Sequence, residues 1–120
     1  NVDVYLVDTF GETKKFHKLA SSVFIGGSII KRGGQNPLEA ARYGAKILHG
    51  PNVDNFKDVY KLLKSLKISK QIKTYNSLAN SIRFKKRKNK SIKIDKIGKI
   101  ILKKTINEID FQIKNEIKKT

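Results

Sequence analysis

Two Gly-Gly steps, Gly26-Gly27 and Gly33-Gly34, flank a link carrying Ser28, Lys31 and Arg32, and Gln35, Asn36 and Glu39 follow. The first pair comes directly after Val23-Phe24-Ile25, an apolar run that reads as a buried strand. Glycine at a strand end lets a ligand approach the main chain, because no Cβ stands in the way. Asn36 is a good N-cap, and Pro37 suits the first helical position, where its missing N–H costs nothing. The free N–H groups of a first turn, with the positive end of a helix dipole, attract an anion. A strand, a glycine loop and a capped helix together suggest a pocket for a nucleotide phosphate. The pattern is neither a P-loop nor a G-x-G-x-x-G fingerprint.

Each side chain here has a chemical and a structural role open to it. The Ser28 hydroxyl suits a phosphate or carboxylate, and equally a local serine turn. Arg32 suits an anionic sugar, and equally an exposed loop position. Glu39 sits three residues after Asn36, the capping-box spacing, and from spacing alone capping ranks first. Glu12 lies near a helix start, where a carboxylate is favoured whether or not it meets a ligand. Asn55 reads as a helix cap, His17 as a surface or packing residue, and His49 as a strand end without chemistry.

Three motifs add a further layer. G-G-S-I-I-K-R-G-G-Q-N-P-L-E-A-A from Gly26, followed by G-P-N-V-D-N-F-K-D from Gly50 to Asp58, closely resembles the 3-deoxy-D-manno-octulosonic acid (Kdo) transferases of lipopolysaccharide synthesis. D-T-F-G-E at Asp8 to Glu12 is similar to the family's D-T-x-G-E element. The resemblance runs over residues 2–82 and fades in the tail. It implies a GT-B glycosyltransferase, of which this chain is an incomplete C-terminal, donor-binding domain. The implied reaction moves Kdo from CMP-Kdo to a lipid A precursor, with inversion and without metal or other cofactor. The implied setting is the cytoplasmic face of the bacterial inner membrane, with its anionic surface as a partner. Donor contacts are expected from Gly11, Glu12, Gly27, Ser28, Arg32, Gly33, Gly34, Gln35, Asn36 and Glu39. Amides after Ser28 and Gly33-Gly34 would meet the phosphate, and Glu39 the ribose hydroxyls. The family's general base lies in the N-terminal domain, so no catalytic residue is expected in this chain. Two positions depart from the family: Gln35 replaces the usual His, and Thr13 the usual Leu. Glutamine keeps a donor and an acceptor but carries no proton or charge.

Composition narrows the alternatives. One hundred and twenty residues allow one small domain. The chain opens inside an expected strand, Val2 to Val7, and reads as a piece of a longer protein. No run of about 18 apolar residues would span a membrane. With no cysteine and two distant histidines, a thiolate nucleophile and a metal site are not expected. Residues 1–60 carry 8 Lys/Arg against 6 Asp/Glu, a net of +2; residues 61–120 carry 19 against 4, a net of +15. Lysine outnumbers arginine 23 to 4, whereas phosphate-reading proteins favour the arginine fork. Compositional drift therefore ranks first, a membrane-facing surface second, and nucleic acid, not expected as a partner, third. A basic RNA- or lipid-binding module, or a GT-B domain for another nucleotide sugar, are the competing functions.

The elements predicted to position these residues alternate. Strands are expected at 2–7, 23–25, 46–49 and, weakly, 71–74, with helices at 11–20, 37–43, 55–66 and 77–85. In the first of these helices Phe16, Leu19 and Ala20 would share one side, and Gly44 would close the second in a left-handed conformation. Such alternation argues a Rossmann-like parallel sheet, in which ligands bind beyond the carboxyl ends of the strands. The loops at Asp8, Gly26 and Gly50 would then gather on one edge. The basic run Arg83–Lys90 reads as a solvated linker between a domain at 1–90 and basic amphipathic helices at 91–120. Leu102, Ile106, Ile109, Ile113 and Ile117 form one apolar stripe, expected to pack on protein, with breaks at Gly98 and Asn107.

Overall fold

The computed structural model describes residues 2–85 and 88–119. Helix α1 (Thr13–Leu19) precedes strand β1 (Ser22–Ile25), and the glycine loop leads into α2 (Leu38–Arg42). Strand β2 (Lys46–His49) is followed by a 3-10 turn (Asp54–Phe56) that runs into α3 (Lys57–Ser65). Then come β3 (Ser69–Gln71), α4 (Tyr75–Ser81) and a long α5 (Lys88–Lys119). The three strands are parallel in the order β1-β2-β3, with Val23 opposite Ile47 and Leu48 opposite Lys70. This is a small Rossmann-like α/β unit, as the alternation predicted.

Burial follows from the sequence of each element. In β2, Ile47, Leu48 and His49 are all buried, so this central strand is covered on both faces. Helix α3 turns Tyr60 and Leu63 inward, flanked by Phe56, Val59 and Leu66 at helical spacing. Each fully buried large aliphatic of this kind contributes about 1.5–3 kcal/mol. Helix α2 supplies Ala40 and Ala41, small enough to let it lie close against the sheet. Helix α5 adds Ile94 to the same core, and Arg42 lies 3.5 Å from Asp95 across the α2–α5 contact. Both partners of that pair are mostly exposed, so it adds at most about 1 kcal/mol.

Several expectations are corrected. Val2 to Val7 is not a strand, and Val2, Val4, Tyr5 and Leu6 are exposed. Alternation alone does not make a strand; no neighbour among the described residues offers this segment a ladder, and Tyr5 rests its ring 6.0 Å from Phe16 instead. Leu19 is exposed rather than packed with Phe16. The fourth predicted strand forms two residues earlier, at Ser69–Gln71, where register with Ile47–His49 fixes it. The fourth helix, expected at 77–85, runs as α4 over Tyr75–Ser81 and is capped by Thr74, whose Oγ1 accepts from Ser77 N–H at 3.1 Å. Gly98 and Asn107 lie within the single helix α5, and the stripe Leu102, Ile106, Ile109, Ile113, Ile117 is exposed. Part of the basic run, Lys86 and Arg87, lies outside the described residues.

Candidate functional site

The loop after β1 and the loop after β2 are stitched into one unit at the carboxyl edge of the sheet. Ser28 is the first stitch. It is fully buried; its hydroxyl donates to Ile25 C=O at 2.6 Å and accepts from Gly50 N–H at 2.8 Å. The one proton of the hydroxyl is thus committed to the scaffold, the structural role that a local serine turn offers. Gly50 must be glycine here, since a Cβ would lie 2.5 Å from the Ser28 carbonyl oxygen. Asn52 continues the seam, its N–H donating to Ser28 C=O and its Nδ2 to Ile29 C=O, both at 2.8 Å.

Asn55 closes the seam at the second glycine pair. Its N–H donates to Gly33 C=O and its Nδ2 to Arg32 C=O, both at 3.2 Å. It is therefore a clamp on the glycine loop and not the expected helix cap. Gly33 takes φ +84°, and a Cβ there would meet the Asn55 amide at 2.5 Å. Gly34 N–H donates back to Gly27 C=O at 3.2 Å, closing the loop on itself.

The start of α2 keeps part of its predicted form. Asn36 Oδ1 accepts from Leu38 N–H at 3.0 Å, and Pro37 already has helical dihedrals. Gly44 follows the C-terminus with φ +85°, as predicted. Because α2 has only five residues, few peptide dipoles align in it, and loop amides matter more to an anion than the helix field. Among the described residues, the Gln35 and Asn36 N–H groups have no acceptor. Nearby, Lys31, Arg32, Gly33, Asn52, Asp54 and Asn55 line an open polar hollow of about 470 Å³. Two cations against one carboxylate make it a place for an anion.

Glu39 does not close the capping box. Its half-exposed carboxylate lies 3.8 Å from His17 Nδ1, linking α2 to α1. Glu12 accepts a hydrogen bond from Thr9, and Gly11 is exposed beside it. Neither Gly11 nor Glu12 hydrogen-bonds to the glycine loop among the described residues. The structure thus joins Gly27, Ser28, Arg32, Gly33, Gly34, Gln35 and Asn36, places Glu39 on the adjoining helix, and leaves Gly11 and Glu12 just before α1.

Sequence reasoning missed a buried pair behind the loop. Tyr60 donates from its hydroxyl to Gln35 C=O at 2.9 Å, and its ring centroid lies 4.5 Å from that of His49. His49 Nδ1 is 2.6 Å from Gly50 C=O, so Nδ1 carries the proton and donates. Burial lowers the His49 pKa, the Gly50 carbonyl opposing in part, and burial pushes the Tyr60 hydroxyl up to about 12. Both side chains are held neutral. The signal available in sequence was a polar residue at each apolar position: His at the end of a buried strand, Tyr on the inner face of α3.

No cluster of three or more His, Cys, Asp or Glu suited to a metal ion occurs among the described residues. Among the same residues, no helix is long and apolar enough to cross a membrane. No protein-family model matches the chain. Individual relatives do. A 3-deoxy-D-manno-octulosonic acid transferase of Rickettsia bellii is 42% identical over 82 residues, 68% of this chain and 19% of the relative. That of Rickettsia typhi is 37% identical over 92 residues, 77% of this chain and 20% of the relative. That of Bordetella pertussis is 41% identical over 58 residues, 48% of this chain and 14% of the relative. The chain spans about one fifth of the length of the rickettsial relatives it matches. Identity at this level, shared with separate bacterial genera and joined to a glycine loop built as described, makes the chain a member of the 3-deoxy-D-manno-octulosonic acid transferase family.

Proposed function

We propose that this chain is part of the C-terminal donor-binding domain of a GT-B enzyme that moves Kdo from CMP-Kdo to a lipid A precursor. The observation that carries the proposal is the loop from Gly26 to Asn36, clamped by Gly50, Asn52 and Asn55 with its Gln35 and Asn36 amides open. Departing CMP gains charge on its phosphate, and preorganised N–H donors stabilise such charge as the bond breaks. Lys31 and Arg32 add positive field at the same edge. Glu39 would accept from the ribose hydroxyls, and the transfer would proceed with inversion and without a metal. Ser28 acts behind the loop, holding its shape.

The test is amide hydrogen exchange in the protein carrying this chain, with and without CMP. Gly27 to Glu39 should gain protection at saturating CMP, and UMP should compete less well. Unchanged exchange across that stretch would sink the donor-site reading. The lipid acceptor implies work at an anionic membrane of the cytoplasmic face, to which exposed lysines of α5 would be drawn by about 1 kcal/mol each. Co-sedimentation with anionic liposomes should then fade between low salt and 1 M, where the Debye length is ~3 Å. No binding at low salt would leave the +15 of residues 61–120 as compositional drift.

A further inference from the structure

We propose that Tyr60 and His49 are positioning residues, which aim the Gln35 and Asn36 amides of the glycine loop through one chain of contacts. The inference rests on the donor-binding reading above and names the residues that set its geometry.

The chain begins at the sheet. His49 ends β2, buried at 6% exposure, and its Nδ1–H fixes the Gly50 carbonyl at 2.6 Å. The same peptide region presents Gly50 N–H to Ser28. The imidazole also forms the wall against which the Tyr60 ring lies, centroids 4.5 Å apart and planes 58° apart. Tyr60 comes from α3, itself only 4% exposed, so its ring has little freedom to turn. From that fixed ring the hydroxyl reaches out of the core to a single acceptor, Gln35 C=O. A carbonyl held on one side of its residue sets the plane of the following peptide, whose N–H belongs to Asn36. The Gln35 N–H belongs to the preceding peptide, whose far end is Gly34, already tied to Gly27. Among the described residues, Tyr60 is the side chain from outside the loop that hydrogen-bonds to its open half, where Gln35 and Asn36 are themselves exposed.

A packing role alone needs no hydroxyl. Phenylalanine would fill the same volume, keep the contact with His49 and keep the core. A buried tyrosine hydroxyl needs a partner, and here the partner is the loop itself. The two roles therefore separate cleanly in Tyr60→Phe.

The experiment uses the protein carrying this chain, with three readouts: thermal unfolding, amide exchange without ligand, and CMP affinity. Tyr60→Phe is expected to unfold close to the parent temperature. Exchange at Gly34, whose N–H closes the loop on Gly27 C=O, should quicken by about tenfold, while amides of β2 and α3 stay as they were. CMP affinity should fall by a similar factor, and Tyr60→Leu, which also removes the ring, should add loss of stability. Loop exchange unchanged in Tyr60→Phe overturns the positioning role whatever CMP does. Altered loop exchange in a protein whose parent binds no CMP supports the positioning role and sinks the donor-site reading instead. Altered loop exchange with CMP affinity equal to the parent's overturns the claim that these amides serve the donor.

Discussion

Replacing Ser28 by alanine removes one oxygen atom and two hydrogen bonds. The oxygen is the meeting point of Ile25 C=O, at 2.6 Å, and Gly50 N–H, at 2.8 Å, and Ser28 is 0% exposed. Water has no route to replace it. A buried donor left without an acceptor costs about 1–3 kcal/mol, and the lost bond to Ile25 adds about 1 kcal/mol. Together the variant should be about 2–4 kcal/mol less stable. For a domain of this size that corresponds to roughly 8–16 °C in Tm. Ser65→Ala is the control: its hydroxyl also bonds a main-chain carbonyl, Leu62 at 2.7 Å, but on an exposed helix turn. Its effect should stay within about 0.5 kcal/mol. Urea and thermal unfolding followed by circular dichroism measure both. A Ser28→Ala variant as stable as Ser65→Ala, with donor affinity lost, would refute the scaffold role of the hydroxyl and make Ser28 a ligand contact.

Gly33→Ala should destabilise by more than about 1 kcal/mol, since φ +84° disfavours any side chain and its Cβ would strike Asn55 at 2.5 Å; in the Asn55→Ala background the cost should shrink but persist, and full rescue would show that backbone strain plays no part. Stability should fall at both ends of the pH range. The lowered pKa of His49 gives stability that is present above 6.5 and lost as pH falls through the folded value, and Tyr60, raised to about 12, gives stability present below 10 and lost as pH rises toward 12. His49→Leu should flatten the acid limb and Tyr60→Phe the alkaline one; limbs unchanged in both would sever the link to these groups. Glu39→Gln should change stability by less than about 1 kcal/mol, because its carboxylate is half exposed, and weaken the donor more, because charge-assisted hydrogen bonds to a ribose are lost. Equal donor affinity in variant and parent would remove Glu39 from the site.

What was legible in the sequence is what short-range chemistry decides. The alternation of strand and helix, the Asn36-Pro37 start and the left-handed Gly44 each depend on a few neighbouring residues, and each is found. What was not legible depends on partners distant in the chain. Asn55 looks like a cap because caps are local; its actual acceptor, Arg32 C=O, is 23 residues away. Ser28 looks available because nothing in its neighbourhood reveals Gly50, 22 residues on. Val2 to Val7 has a strand's pattern but lacks a ladder to join. The expected break at Gly98 fails for an energetic reason: one glycine costs a helix about 1 kcal/mol, too little to interrupt 32 residues.

Five hydrogen bonds cross between the loop after β1 and the loop after β2, through Ser28, Ile29, Arg32 and Gly33 on one side and Gly50, Asn52 and Asn55 on the other. Such a seam makes the two loops a single cooperative unit, or foldon, which opens and recloses as one. It also turns residues 35–49 into a closed circuit, starting and ending at the same seam. The length of that circuit is then a fitted quantity. An insertion in it must be absorbed on the outer turn at Tyr43-Gly44, or it will pull the seam apart. Any transplant of this glycine loop into another scaffold must carry G-P-N-V-D-N with it, because half of the loop's shape is written there.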